Sequence, residues 1–317
     1  ASSAAHQGQN LIAINCEFAE RVKSSEHKKA QAVASFLGIP LKSIQISAGD
    51  VKEALYLLAR HHGEPFADAA NVSLYMLYRS VRDEARVILQ GDGGDELFGG
   101  YNRHRLIKLR QLLKVASLIF FFLGGVAPKR YLSSTNLKRV NRVLAAFSHS
   151  GHARLALLMT LETSDLLPTR IFRDDYQEHL AVNTYPFQVY KEASERFHQF
   201  DEETALFLTD LTVQLPSQFL TKVDRASMAA SVEARVPLLD DELVSFAIRL
   251  DHSAKISLMK SKKFLYDSQI NRLPDEILKS RKQGFGTPYG EWLRGDLKGF
   301  ASEHILNSSF ISRFNLN

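Results

Sequence analysis

The stretch EARVILQGDGGDELFGGYNRH (84–104) restricts the fold more than any other part of the chain. Residues 89–104 alone hold five glycines and three carboxylates. Val87-Ile88-Leu89 is a short apolar run of the kind that forms a buried parallel strand. Apolar residues recur at helical spacing from Asp95 onward, so the glycines fall where a strand ends and a helix begins. In open α/β sheets ligands bind at that edge. Gly91, Gly93 and Gly94 let the chain turn sharply with its N–H groups exposed, and such groups near a helix start favour phosphate. Asp92, Asp95 and Glu96 would repel a phosphate unless a hard cation such as Mg²⁺ lay between them. Two readings stand on these residues alone: a Mg-nucleotide site, or a glycine-rich turn whose acids cap the next helix.

The surrounding pattern agrees with an α/β fold. Residues 10–18 and 43–47 read as strands, and 25–38, 50–61 and 71–82 as helices, the first with a serine cap and a terminal glycine. This alternation predicts a parallel sheet with helices on both faces. After residue 105 strand signals nearly vanish, and helical patterns cover 113–123, 136–147, 151–163, 203–230 and 241–249. The expected plan is an α/β nucleotide-binding part over 1–105 and a helical part over 106–317.

Composition excludes several classes. At 317 residues the chain can bury a large core. Its net charge of +5 is mild, and its basic residues are scattered apart from KLRQLLK and SRK, so no nucleic-acid partner is expected. One cysteine, Cys16, excludes an internal disulfide framework and fits a reducing cytoplasm. The apolar run VASLIFFFLGGVA (115–127) is thirteen residues long, too short to span a bilayer. It reads as a buried helix, and no membrane partner is expected.

Three further constellations carry charge in unusual settings. LTKVDRASMAASVEARVPLLD (220–240) sets Lys222, Asp224, Arg225, Glu233 and Arg235 within an apolar helical stripe. That pattern fits either charges paired across a buried interface or a helix with solvated ion pairs. SRKQGFGTPYGEWL (280–293) reads as a helix C-terminus with favourable cations and a glycine stop, although Arg281 and Lys282 also suit an arm reaching a phosphate. In GEPFADAANVSLYML (63–77), Asp68 and Asn71 precede a helix, where an N-cap suffices as explanation. His61 and His62 lack a second ligand pair at metal spacing and suggest a surface role.

Together LQGDGGDELFGGY (89–101), EPFADAANVSLYML (64–77), LTKVDRASMAASVEARVPLLD (220–240) and LPDEILKSRKQGFGTPYGEWL (273–293) resemble the synthetase domain of glutamine-hydrolysing asparagine synthetases, in order and spacing over nearly the whole chain. The resemblance implies an adenine nucleotide alpha hydrolase-like fold and an ATP-dependent ligase. In that family ATP activates a carboxylate, usually aspartate, as an acyl-adenylate with release of pyrophosphate. Ammonia from a glutaminase domain then displaces AMP. Relatives that make β-lactams, cyclise peptides or amidate surface sugars share the pattern, so a sugar acid or specialised metabolite is the alternative acceptor.

By the same resemblance, Asp95 matches the magnesium-binding acid, and Cys16, Gln90 and Gly91 match positions whose backbone holds the nucleotide. Asp92 matches the acid associated with forming and consuming the adenylate, where some relatives carry glutamate. Lys282 matches the lysine that stabilises charge on the phosphates. A homodimer is left open. Two family features are not found in the sequence. The Ser-Gly-Gly-x-Asp-Ser pyrophosphate loop expected before NLIAINCEF is replaced by ASSAAHQGQN, and no glutaminase domain with an N-terminal cysteine precedes it. Ser217 and Gln218 also stand where common members have acids. These departures lead to the expectation of an incomplete synthetase domain, with a catalytically inactive scaffold as a further alternative.

Overall fold

The computed structural model describes residues 11–18, 25–122, 135–160, 187–280, 287–306 and 309–313. In chain order the elements that matter here are β1 (Ala13–Phe18), α1 (Ser25–Leu37), β2 (Leu41–Ile46), α2 (Ala48–His62), α3 (Ala70–Val81), β3 (Val87–Leu89), α4 (Gly94–Phe98), α5 (Asn102–Leu106), α6 (Arg110–Phe122), α7 (Thr135–Ser148), α8 (Gly151–Met159), α9 (Gln188–Arg196), α10 (Glu202–Thr209), α11 (Thr221–Ala229), β4 (Glu233–Arg235) and α12 (Asp241–Arg249). The chain divides into two compact units. One comprises Ala1–Gly94, Ser217–Arg249 and Lys262–His304; the other comprises Asp95–Pro216, Leu250–Ser261 and Ile305–Asn317. The helical region expected from residue 106 onward therefore contributes to both.

In the first unit all strand pairing is parallel among the described residues. β1 pairs with β2 from Ala13↔Leu41 to Phe18↔Ile46, and β3 pairs with β4 from Val87↔Glu233 to Leu89↔Arg235. The parallel character matches the sequence reading, but the strands form two separate pairs. Val87 and Leu89 are each more than half exposed, so β3 is not the fully buried strand expected of an apolar run. β4 has no strand signature, because Glu-Ala-Arg lacks β-branched and aromatic residues. Its conformation is set by the ladder to β3.

Helix α2 shows how local sequence fixes this unit. The Asp50 carboxylate accepts hydrogen bonds from the Ser47 N–H and hydroxyl at 3.0 and 2.7 Å. The Ser47 hydroxyl leads the causes that hold the Asp50 pKa below its usual value. Val51, Ala54, Leu58 and His62 then fall on one buried face. His62 is accordingly buried and stacks on Phe66 at 4.3 Å. The surface role expected of this histidine is corrected by its place one turn beyond Leu58. The unit's core gathers Ile46, Val51, Tyr78, Ala226, Val232 and Trp292.

The second unit packs α6, α7 and α8 around Ile107, Phe147, Leu155, Ala156, Phe187 and Leu206. The helix expected over 203–230 is three elements: α10, a π-type helix over Asp210–Leu220 containing Pro216, and α11. Proline lacks the N–H that a regular α-helix needs there. The apolar run from residue 115 also departs from expectation: Val115, Leu118, Ile119 and Phe122 are exposed on α6. Residues 123–127 lie outside the described residues. Among the described residues no helix is long and apolar enough to cross a membrane.

A buried ionic cluster anchors α5. Arg103 donates to Asp210 through Nε and Nη2, and His104 Nε2 lies 2.6 Å from Asp210 Oδ2. His104 and Asp210 are fully buried. His104 stacks flat on Phe207, with ring centroids 4.2 Å apart. Burial holds the imidazole below its ordinary value of 6.5. Against its own burial, Asp210 is held below the usual carboxylate range by the Arg103 charge and the His104 hydrogen bond.

Two outcomes follow for stability. Gly99 has φ +76°, and a Cβ there would overlap Ile256 Cγ2 and crowd Phe207. Gly99→Ala is expected to cost about 2–5 kcal/mol in urea unfolding, from left-handed strain and overpacking together. For His104, the unfolded imidazole takes up a proton below about 6.5, while the folded one does so only at lower pH. Stability therefore rises with pH in that window and falls as pH drops through it. Unfolding free energies at about pH 7.5 and 5.5, which bracket the ordinary imidazole pKa, should show a decline on acidification that is smaller in His104→Gln.

Candidate functional site

The glycine turn begins where the β3–β4 ladder ends. The Gln90 N–H donates to the Arg235 carbonyl at 2.8 Å, one residue beyond the paired strands. Gly91 is exposed, and among the described residues nothing lies within 4 Å of where its Cβ would be. Its backbone is therefore open to a ligand. Gly93 has φ +83°, and a Cβ there would overlap Leu239 Cδ2. A Cβ on Gly94 would approach Leu238 Cδ1 at 3.0 Å. Leucines thus pack against Gly93 and Gly94, whereas Gly91 is exposed.

The three acids of the turn have different fates. Asp92 is half-buried, and its charge adds to burial in raising the pKa of Tyr78. Asp95 and Glu96 begin the second unit. Asp95 is half-buried, and its carbonyl accepts from the N–H groups of Gly99 and Gly100 at 3.0 and 2.8 Å. Glu96 points into the interior and accepts a hydrogen bond from the Tyr101 hydroxyl. Burial raises its pKa. Glu96 is therefore part of the scaffold, whereas Asp92 and Asp95 stay half-buried.

A cation that the sequence reading missed stands beside the turn. Lys262 Nζ lies 3.7 Å from the position a Gly94 Cβ would take. Its backbone is left-handed, with φ 51° and ψ 35°, at the start of the short helix Lys263–Asp267. No local motif marks this lysine; only the tertiary structure brings it to the glycines. Lys282 and its neighbour Arg281 lie outside the described residues.

Two of the sequence segments meet at Asp68. Its Oδ1 accepts from the Ala70 N–H at 2.9 Å, as a helix-start aspartate should. Its Oδ2 receives Lys222 Nζ at 3.2 Å and Gln218 Nε2 at 3.3 Å. Lys222 is buried, so this pair is the internal ion pair that one reading of 220–240 expects. Asp224 and Arg225 are exposed, and Glu233 pairs with Arg235 at the surface, so those four are not part of it. Asn71 lies inside α3, with Nδ2 2.7 Å from His62 Nε2, rather than at the cap. Asp68, Asn71, His62, Phe66, Leu55 and Tyr289 line a cleft of about 330 Å³.

Cys16 lies within β1, opposite Ile44, and its side chain is buried in the core of the first unit. Among the described residues no group of three or more His, Cys, Asp or Glu side chains is placed to hold a metal ion.

The chain matches the asparagine synthase family model over residues 1–315. It is 32% identical to a putative glutamine-hydrolysing asparagine synthetase of Mycobacterium tuberculosis over 306 residues, which is 95% of this chain and 45% of that protein. It is 25% identical to glutamine-hydrolysing asparagine synthetase 1 of Bacillus subtilis, over 90% of this chain and 44% of that protein. Identity to amidase chry2 of Gibberella zeae is 19%, over 92% of this chain and 46% of that protein. The chain thus spans less than half the length of these relatives. With a family model matched almost end to end, and with the parallel strand pairs and glycine turn in place, the chain belongs to the asparagine synthase family and shares its adenine nucleotide alpha hydrolase-like fold.

Proposed function

We propose that this chain is the ATP-using part of a ligase that activates a carboxylate, most simply the side chain of aspartate, as an acyl-adenylate and then aminates it with ammonia released from glutamine. The observation that carries this reading is the turn itself: an open backbone at Gly91, Asp92 and Asp95 close by in sequence, and Lys262 beside Gly94. Phosphoryl and nucleotidyl transfer involve little covalent chemistry from the protein, so positioning and charge neutralisation dominate.

Each residue then has a distinct task. The main chain of Gln90 and Gly91 receives the nucleotide, and Cys16 contributes through its main chain. Asp95, with Asp92 nearby in sequence, suits a magnesium ion that keeps most of its ligands from water and phosphate, because Mg²⁺ needs only one or two protein carboxylates. When bound, that ion neutralises negative charge building on the phosphates. Asp92 serves the formation and consumption of the adenylate. Lys262 adds a point charge next to the turn, and Lys282 does so from its basic loop. The Lys222–Asp68 pair holds the 217–224 segment to the start of α3.

A second reading keeps this chemistry and changes the acceptor to a sugar acid or specialised metabolite. Gln218, which bonds Asp68 where common members carry an acid nearby, favours it. The assay that decides uses the complete reading frame carrying this chain, with glutamine, Mg-ATP and aspartate. Release of AMP and pyrophosphate is expected, and release of ADP and phosphate instead would overturn the mechanism. Asp92→Asn and Asp95→Asn should each lower kcat by about 10²–10³-fold, the usual scale for losing one preorganised electrostatic group. If pyrophosphate release requires a different carboxylate, the second reading stands.

A further inference from the structure

The exposed side of α6 carries a contiguous apolar stripe. Leu112, Val115, Leu118, Ile119 and Phe122 recur at spacings of three and four, and each is between 54% and 91% exposed. Val140 on α7, which packs beside α6, is 51% exposed as well. The opposite side of α6 is accounted for: Leu113 packs on the second unit's core and Ser117 is fully buried. Five large apolar side chains on one helix face exceed the isolated exposed leucine that any protein surface shows.

The stretch of sequence that carries this face is one-sided in charge. From Leu97 through Leu161 the sequence contains no Asp or Glu, yet it holds eleven Lys and Arg residues. The whole chain is only +5, so the remainder is acidic on balance. Among the described residues four of these are ion-paired: Arg103 with Asp210, Lys108 with Glu203, and Arg110 and Arg154 with Glu202. Lys114, on α6 beside the stripe, and Arg139, next to Val140 on α7, are exposed.

We propose that the α6–α7 face docks on an anionic lipid surface, with α6 lying in the interface plane rather than crossing it. The apolar stripe supplies the inserted side chains, and the exposed Lys114 and Arg139 supply attraction to lipid headgroups. A helix of 13 residues is suited to lying in the interface and too short to span it. A second copy of this chain is a poor occupant, since it would set Lys114 and Arg139 against an equally basic face. Nucleic acid would meet the cations but leave the leucines and phenylalanine uncovered.

Vesicle cosedimentation of the complete protein tests this. Partition into phosphatidylcholine vesicles containing phosphatidylglycerol is expected to exceed partition into phosphatidylcholine alone, and to weaken as salt is raised. Leu118→Glu and Phe122→Glu should each reduce partition about tenfold or more, from the lost burial of one large apolar side chain. Lys114→Glu with Arg139→Glu should reduce it several-fold. Melting curves of these surface variants should match the parent, which separates lost docking from lost folding. Failure to cosediment, or partition indifferent to Leu118 and Phe122, would overturn the proposal. So would binding to duplex DNA without binding to vesicles, or a change in molar mass on substituting the stripe without vesicle binding.

Discussion

The short ladder between β3 and β4 sets the geometry on which the candidate site depends. Three residue pairs are flanked by the Glu233 N–H bond to the Arg86 carbonyl and the Gln90 N–H bond to the Arg235 carbonyl. Gln90 is therefore the last residue held, and the chain is released at Gly91. The segment that holds the strand also shapes the turn, because Leu238 and Leu239 follow β4 and press on Gly94 and Gly93. A net of about 0.5–1.5 kcal/mol per hydrogen bond would not keep two three-residue strands together alone. The pair persists because α11 packs on α2 and α3, carrying Ala226, Ala230 and Val232 into the core.

The fates of the three acids follow from simple electrostatics. Asp92, Asp95 and Glu96 lie within five residues, and three ionised carboxylates that close would repel one another. Glu96 escapes by turning inward to the Tyr101 hydroxyl, where burial raises its pKa and weakens the charge it presents. Asp92 and Asp95, by contrast, stay half-buried.

What the sequence made legible is what depends on neighbouring residues. The Ser47–Asp50 capping pair and the 51, 54, 58, 62 spacing define α2 without any tertiary information. The glycines of the turn are equally readable, because a positive φ at Gly93 and the leucine contacts are demands on single backbone positions. β4 was hidden because its residues have no preference for a strand and gain one only from β3. Lys262 was hidden for the same kind of reason: its placement beside Gly94 spans 168 positions of sequence with no motif between. The apolar richness of α6 pointed to burial, and a hydrophobic count along a helix cannot say which face finds a partner.

In the second unit a chain of contacts runs from Asp95 to the buried Asp210. Asp95 is tied through its carbonyl to the Gly99 and Gly100 N–H groups. Its neighbour Glu96 bonds Tyr101, whose ring lies under the Arg103 guanidinium at 3.9 Å. Arg103 in turn grips Asp210, which His104 also bonds and Phe207 backs through its stack on that imidazole. Asp210 comes from more than a hundred residues away, so this chain of contacts converts a local turn into a globally determined one. Removing one member of such a buried ionic group typically costs about 3–5 kcal/mol, because its partners stay buried and uncompensated. The turn that carries Asp95 therefore rests on a network with far fewer alternative arrangements than it would have alone.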